Sequence, residues 1–238
     1  MKAHKNPKPC SENSALIESV VHEIQNDLQF LKLEMDFLFR EIGQTHKIER
    51  LTQPIYRISK LLNDLPDYFA LPEPKLSEER PERILEEIVE RINQESPPKR
   101  AALRLVQKNP LPMVRVDCGQ FRKALERVME FGQALADDGG DLQIEAGLIS
   151  IDGQSHVELK ITSCSADSLA FEEKDAFQPF LRIKNHEVGV GMALAQEILR
   201  RHQGVIFFRK ESSRQGQIRI LIKVSDHEEL ASNRTNNR

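Results

Sequence analysis

Apolar residues recur at Ile17, Val21, Ile24, Leu28, Leu31, Met35, Leu38 and Ile42, alternately four and three apart. That is the a/d repeat of a helix packed along a coiled-coil seam. It predicts a long helix from Ser14 to about Glu41, with Gly43 as its C-terminal stop. With Ile17 and Ile24 at d and Val21 at a, His22 falls at b and Asn26 at f, one turn apart on the polar side. A second series, Ile48, Leu51, Ile55, Ile58, Leu62, Leu65 and Phe69, repeats the seam and predicts a second helix folded back antiparallel, kinked at Pro54. Val20, Phe30, Leu33, Phe37 and Phe39 widen the apolar face beyond what one hairpin can bury. Self-association of two hairpins into a four-helix bundle is the expected solution.

Pro72 and Pro74 mark residues 71–76 as a short stiff linker, and beyond it the periodicity changes. Helices are expected at 81–92, 118–136 and 191–202, the second starting after Asp117 as N-cap. A strand is expected at 102–106. Strands at 141–150 and 156–162 alternate apolar and polar residues around Asp152-Gly153, a hairpin signal. A second hairpin joins 204–210 to 217–224 through a turn at 212–216. These elements predict an α+β sandwich, with a sheet of four or five strands covered on one face by three helices. The expected organisation is a flexible arm at 1–13, a helical-hairpin dimerisation domain at 14–70, the linker at 71–76, the α+β domain at 77–225 and a disordered polar tail at 226–238.

Composition narrows the classes. Among 238 residues, 34 Lys and Arg nearly balance 37 Asp and Glu, so no global field draws the chain to nucleic acid. Cys10, Cys118 and Cys164 are odd in number and lack C-x-x-C spacing, which argues against a disulfide framework or zinc site and fits reduced thiols in the cytoplasm. No apolar run approaches the roughly 18 residues of a membrane span. The basic N-terminal stretch lacks the apolar core of a secretory signal. His46, His156, His186 and His202 show no metal-ligand pattern and are assigned no role; no metal is expected on this chain.

The segment His22-Glu23-Ile24-Gln25-Asn26 on the first bundle helix resembles the H-box, H-E-x-x-N, of bacterial sensor histidine kinases, whose His is phosphorylated. The likeness continues in order through Val116-Asp117 before a helix, Gly139-Gly140 before a hairpin, Phe177-Gln178-Pro179-Phe180, and Gly189-Val190-Gly191-Met192-Ala193-Leu194. It implies a dimerisation and phosphotransfer domain followed by an ATP-binding α+β domain. It also implies that Glu23 accepts the Nδ1–H of His22 and leaves Nε2 as nucleophile, and that Asn26 positions a water or the phosphoryl group.

Departures from the family pattern bear on the nucleotide. The two N-box Asn residues, which hold Mg²⁺ and phosphates, correspond to Arg127 and Phe131. Neither offers the neutral oxygen that hard Mg²⁺ requires, although Arg127 can pair with a phosphate as a cation. The G1 box, D-x-G-x-G, aligns with Cys164-Ser165-Ala166-Asp167-Ser168, without its Asp and both glycines. Gly189 and Gly191 remain, either as a helix cap and tight turn or as a residual ligand contact. Many family members have Pro where Asp27 stands, so the first helix is expected to run straighter.

These readings favour a histidine phosphotransferase, with a degenerate ATPase-like domain, that shuttles phosphoryl groups between receiver-domain Asp residues and His22. It would bind no cofactor itself, Mg²⁺ being carried by the receiver. An atypical cytoplasmic histidine kinase with a divergent ATP site is the alternative, as is a non-catalytic or phosphatase module that binds response regulators. The expected partners are a second copy of the chain and receiver domains.

Overall fold

The computed structural model describes residues 21, 24–35, 37–38, 55, 58–59, 62 and 66, then 71–95, 101–107, 109–136, 140–165, 169, 171–178, 182–183, 186–187 and 190–225. The chain divides into two compact units, Met1–Pro72 and Glu73–Arg238.

In the first unit, residues 24–35 are helical, and Val21, Leu28 and Met35 are buried at seven-residue intervals. Leu62 joins Val21 and Leu28 in a small core that Ile55 flanks. Gln25 Nε2 donates to the Leu62 carbonyl at 3.4 Å. Ile24, Leu31 and Leu38, the other half of the seam, are exposed, as are Phe30, Leu33 and Phe37. The expected kink at Pro54, the turn at Gly43, the arm at 1–13 and the tail at 226–238 lie outside the described residues.

In the second unit the order is β1 (Ser77–Glu79), α1 (Pro81–Glu95), β2 (Ala102–Gln107), β3 (Val114–Val116), α2 (Cys118–Leu135), β4 (Asp141–Ile151), β5 (Gln154–Cys164), a 3₁₀ turn (Glu173–Phe177), β6 (Arg182–Ile183), β7 (His186–Glu187), α3 (Gly191–Arg201), β8 (Val205–Ser212) and β9 (Gln215–Lys223). The main sheet runs β2-β4-β5-β9-β8, with β2 parallel to β4 and the other pairs antiparallel. Short ladders join β1 to β3 and β6 to β7. The β4–β5 turn places Asp152 and Gly153 at φ 50° and 79°, the left-handed pair of a tight hairpin that Asp-Gly favours.

Period-two burial builds the core. Leu142 and Ile144 on β4, Val157, Leu159 and Ile161 on β5, and Ile218, Ile220 and Ile222 on β9 are buried together with α2 residues Leu125, Val128, Met129 and Leu135. Gly132 lets α2 approach the sheet: a Cβ there would meet Leu142 Cδ1 at 2.9 Å. On the alternate positions Glu158 ties β5 to β9, accepting from Arg219 Nε at 2.7 Å and lying 3.4 Å from Lys160 Nζ. The second hairpin turns more tightly than the expected 212–216: Ser212 already pairs with Gln215, and Gly216 lies in β9 opposite Lys210. Packing explains the shift, since a Cβ on Gly216 would stand 2.8 Å from Phe208 Cε2.

Candidate functional site

The face in question is built by α2 and the start of α3. Asp117 caps α2, its Oδ1 accepting from the Gln120 amide at 3.0 Å, while its Oδ2 accepts from the Lys75 amide at 2.8 Å. The Gln120 amide, followed by that of Lys75, holds the Asp117 carboxyl below its ordinary range against the effect of burial. One carboxylate thus starts the helix and fixes the chain entering the domain.

Farther along α2, Arg127 Nη1 donates to both Glu130 oxygens, at 3.2 and 3.0 Å. The Arg127 stem runs under the first residue of α3, where a Cβ on Gly191 would lie 3.2 Å from its Cδ. Val190, the N-cap of α3, makes no side-chain cap hydrogen bond. One turn beyond Arg127, Phe131 is fully buried. Its ring meets Phe171 and Phe208 edge-on, at centroid distances of 6.2 and 5.8 Å, and those two rings stack at 5.4 Å. Lys210 closes the cluster, its Nζ 5.4 Å from the Phe171 centroid and donating to the Leu169 carbonyl at 2.8 Å.

Of the residues singled out in the sequence, the fold brings Arg127 and Gly191 together and places Phe131 behind them. Asn26 is exposed on the first-unit helix, and Cys164 is exposed at the end of β5. His22, Glu23, Ala166, Ser168 and Gly189 lie outside the described residues. Phe171, Phe208 and Glu130 escaped sequence reasoning; only the alternation of Ile206 and Phe208 marked the latter as inward-facing.

The resemblance implies Mg²⁺ and ATP, which these side chains can be tested against. An Asn pair on α2 would give two amide oxygens. The chain has instead a guanidinium engaged by Glu130 and a phenyl ring locked among two others. This arrangement does not fit magnesium held through α2. Among the described residues no group of three or more His, Cys, Asp or Glu is placed to hold a metal. No helix among them is long and apolar enough to cross a membrane.

Against solved structures the chain is similar to full-length ShkA in complex with AMPPNP, at TM-score 0.65 and 17% identity over 89% of this chain and 46% of that one. The fold is histidine-kinase-like. The histidine kinase AdeS of Acinetobacter baumannii is similar at TM-score 0.58 and 15% identity, covering 86% of this chain and 98% of that one. No protein-family model matches the chain. Among curated proteins it is similar to Sporulation kinase E of Bacillus subtilis (strain 168), 19% identical over 223 residues, 92% of this chain and 29% of that protein. It is also similar to the alginate biosynthesis sensor protein KinB of Pseudomonas aeruginosa, 21% identical over 215 residues, 87% of this chain and 35% of that protein. The chain therefore spans about a third of the length of these curated relatives.

The comparisons overturn the expectation of a phosphotransferase that works without ATP, and with it the disfavouring of an ATP-dependent kinase. The similar proteins are named as kinases and a sensor protein, and the ShkA structure holds AMPPNP. That expectation gave two α2 positions and the G1 segment more weight than the architecture. The overall fold is shared with those solved structures.

Proposed function

We propose that this chain is a kinase-type module of two-component signalling with a divergent nucleotide site, the kinase alternative the sequence left open. Its phosphoacceptor is His22, oriented by Glu23, and its partners are a second copy of the chain and response-regulator receiver domains that bring their own Mg²⁺. The observation that carries this reading is the histidine-kinase-like fold, within which Gly191 opens a helix against the Arg127 stem. Chemically, a carboxylate that accepts the imidazole Nδ1–H keeps the Nε2 lone pair available for a phosphoryl group. The exposed stripe of Ile24, Leu31 and Leu38 supports dimer formation through the first unit.

The test is incubation of the full chain with γ-labelled ATP, followed by addition of a receiver domain. Acid-labile label on wild type, absent from His22→Gln and passed to the receiver, is the expected result. An unlabelled wild-type protein would overturn the kinase reading.

A second reading, a phosphatase or receiver-binding module, is favoured by one specific observation: the buried Phe131 cluster and the Arg127–Glu130 pair stand where the family has its Mg²⁺-holding amides. Exposed Asn26 would then position the water that attacks a receiver aspartyl phosphate. Accelerated receiver dephosphorylation that Asn26→Ala abolishes, without any labelling from ATP, would establish it.

A further inference from the structure

The outer strands of the main sheet are protected against further pairing. On β2, Asn93 of α1 clamps Leu103, its Nδ2 donating to the Leu103 carbonyl and its Oδ1 accepting from the Leu103 amide, both at 2.9 Å. On β8, the Lys210 amide donates to Glu173 Oε1 at 2.6 Å, and Arg209, Lys210 and Glu211 add charge. The end of β4 differs. β2 pairs with residues 141–146 only, whereas β5 accompanies β4 to Ile151, so among the described residues no strand lies on the other side of 147–151. That segment, Gly147, Leu148, Ile149, Ser150 and Ile151, holds neither a charge nor a proline, the residues that ordinarily blunt an edge. Leu148 and Ile151 are 57% and 37% exposed, and a Cβ on Gly147 would meet nothing within 4 Å.

The hairpin fixes which backbone groups face the open side. Asp152 and Gly153 form a two-residue turn, so Ile151 and Gln154 are a hydrogen-bonded pair and the pairs alternate from there. Gly147 and Ile149 therefore turn amide and carbonyl toward β5, and Leu148 and Ser150 turn theirs away from it. The same parity holds at the start of the strand, where the Gly140 carbonyl accepts from the Ala102 amide of β2 at 3.0 Å. Because Leu142 and Ile144 are buried under α2, the side chains of Gly147, Ile149 and Ile151 belong to the opposite face of the sheet. These features are self-complementary about a two-fold axis at Ile149. In an antiparallel pair of identical segments, Leu148 exchanges both backbone hydrogen bonds with Ser150 of the second copy, and Ile149 faces its own counterpart in a non-hydrogen-bonded pair. Ile151 then stands opposite Gly147 of the second copy, where the missing Cβ leaves room for it.

We propose that residues 147–151 of β4 are a self-pairing edge, joining the main sheet to that of a second copy of the chain with Ile149 opposite Ile149. The edge shares no residue with the α2–α3 junction, and the proposal rests neither on the kinase reading nor on dimerisation through the first unit. A contact this short is below the size of a stable interface, so a reaction that traps the paired state is the suitable readout.

Oxidation of full-length cysteine variants with oxidised glutathione, read as covalent dimer and located by peptide mapping, tests it. Directly opposed residues of a non-hydrogen-bonded pair bring their Cβ atoms close to disulfide range, whereas Leu148 and its counterpart are diagonal neighbours roughly 7–8 Å apart. Ile149→Cys should therefore form its 149–149 disulfide at least about tenfold faster than Leu148→Cys forms the 148–148 one. Chance collision would give the reverse order, since Leu148 is the more exposed position. Adding Ser150→Pro to the Ile149→Cys chain removes an outward amide that the single copy does not pair, so circular dichroism should be unchanged. Disulfide formation in that chain should fall about tenfold, the scale of one net hydrogen bond. Leu148→Cys cross-linking as fast as Ile149→Cys overturns the proposal. So does an Ile149→Cys chain that dimerises no faster than wild type, or a Ser150→Pro substitution without effect on the rate.

Discussion

The Cδ of Arg127 lies 3.2 Å from where a Cβ on Gly191 would stand, so a residue in the middle of α2 and the first residue of α3 have coupled steric requirements. The atom in the way belongs to a flexible side chain, and alanine at a helical position gains up to about 1 kcal/mol over glycine. Gly191→Ala should therefore change stability by less than about 1 kcal/mol in urea unfolding. The informative quantity is the coupling. With Arg127→Ala the obstruction is gone, and the double-mutant cycle should show the Gly191→Ala substitution becoming more favourable by roughly 0.5 kcal/mol or more. Strict additivity would mean that the two helices do not constrain each other here.

Phe131 is the residue on which the site's packing depends most. It is fully buried against Phe171 and Phe208, so Phe131→Ala should cost about 3–5 kcal/mol in urea unfolding. Phe131→Asn, which restores the family's residue type, should be no better, since it buries an amide among rings. A variant Phe131→Asn of wild-type stability would show that the cluster is not a packed core.

If nucleotide binds at the α2–α3 junction, it should do so with little help from Mg²⁺, because Arg127 and Phe131 offer no oxygen ligand. Chelating the metal during an AMPPNP titration should leave the apparent affinity within about threefold, less than 1 kcal/mol. A loss of tenfold or more would place Mg²⁺ ligands elsewhere on the chain.

The α+β sandwich was legible because its signals are local. Alternating strands flank Asp152-Gly153, Asp117 stands one residue before a helix, and the three helices carry continuous apolar stripes. What stayed hidden depends on residues distant in sequence. Nothing local tells that β2 pairs with β4 in parallel, or that Ser77–Glu79 pairs with Val114–Val116. Gly216 looked like a turn residue because glycine often is one, whereas its use here is to admit the Phe208 ring. The candidate site divides the same way. Arg127 and Gly191 were each marked by the resemblance, but their contact and the Phe171 and Phe208 partners of Phe131 are products of tertiary packing. In the first unit the heptad was readable, yet it could not tell that a and d positions differ in burial within one chain.

Glu197 gives α3 a pH dependence whose sign is fixed. Arg200, aided by Arg201, holds its carboxyl at about 2 against an ordinary 4.5, despite partial burial. A depressed carboxylate stabilises the fold above its unfolded value, and the contribution is lost as pH falls through its folded value. Wild type should thus exceed Glu197→Gln by about 0.5–1 kcal/mol at neutral pH, the scale of two helical i,i+3 and i,i+4 pairs. The difference should shrink from about pH 4.5 downward and be gone only well below the folded value of about 2. A gap that persisted there, measured by urea unfolding, would exclude the charge pairs as its source.

The first-unit helix offers the clearest separation of folding from assembly. Val21, Leu28 and Met35 are 4, 7 and 8% exposed, whereas Ile24, Leu31 and Leu38 are 39, 46 and 43% exposed in the single chain. The a positions are therefore satisfied internally and the d positions are available to a second copy. Leu31→Glu should leave the chain folded and convert a dimer to monomer in sedimentation experiments, because the new carboxylate stays in water once the copies separate. Leu28→Glu, by contrast, buries the charge within one chain and should destabilise the first unit itself, by several kcal/mol. Equal helix loss by circular dichroism in both variants would show that the two stripes are not distinct surfaces. A wild-type chain that sediments as a monomer at micromolar concentration would remove the dimer altogether.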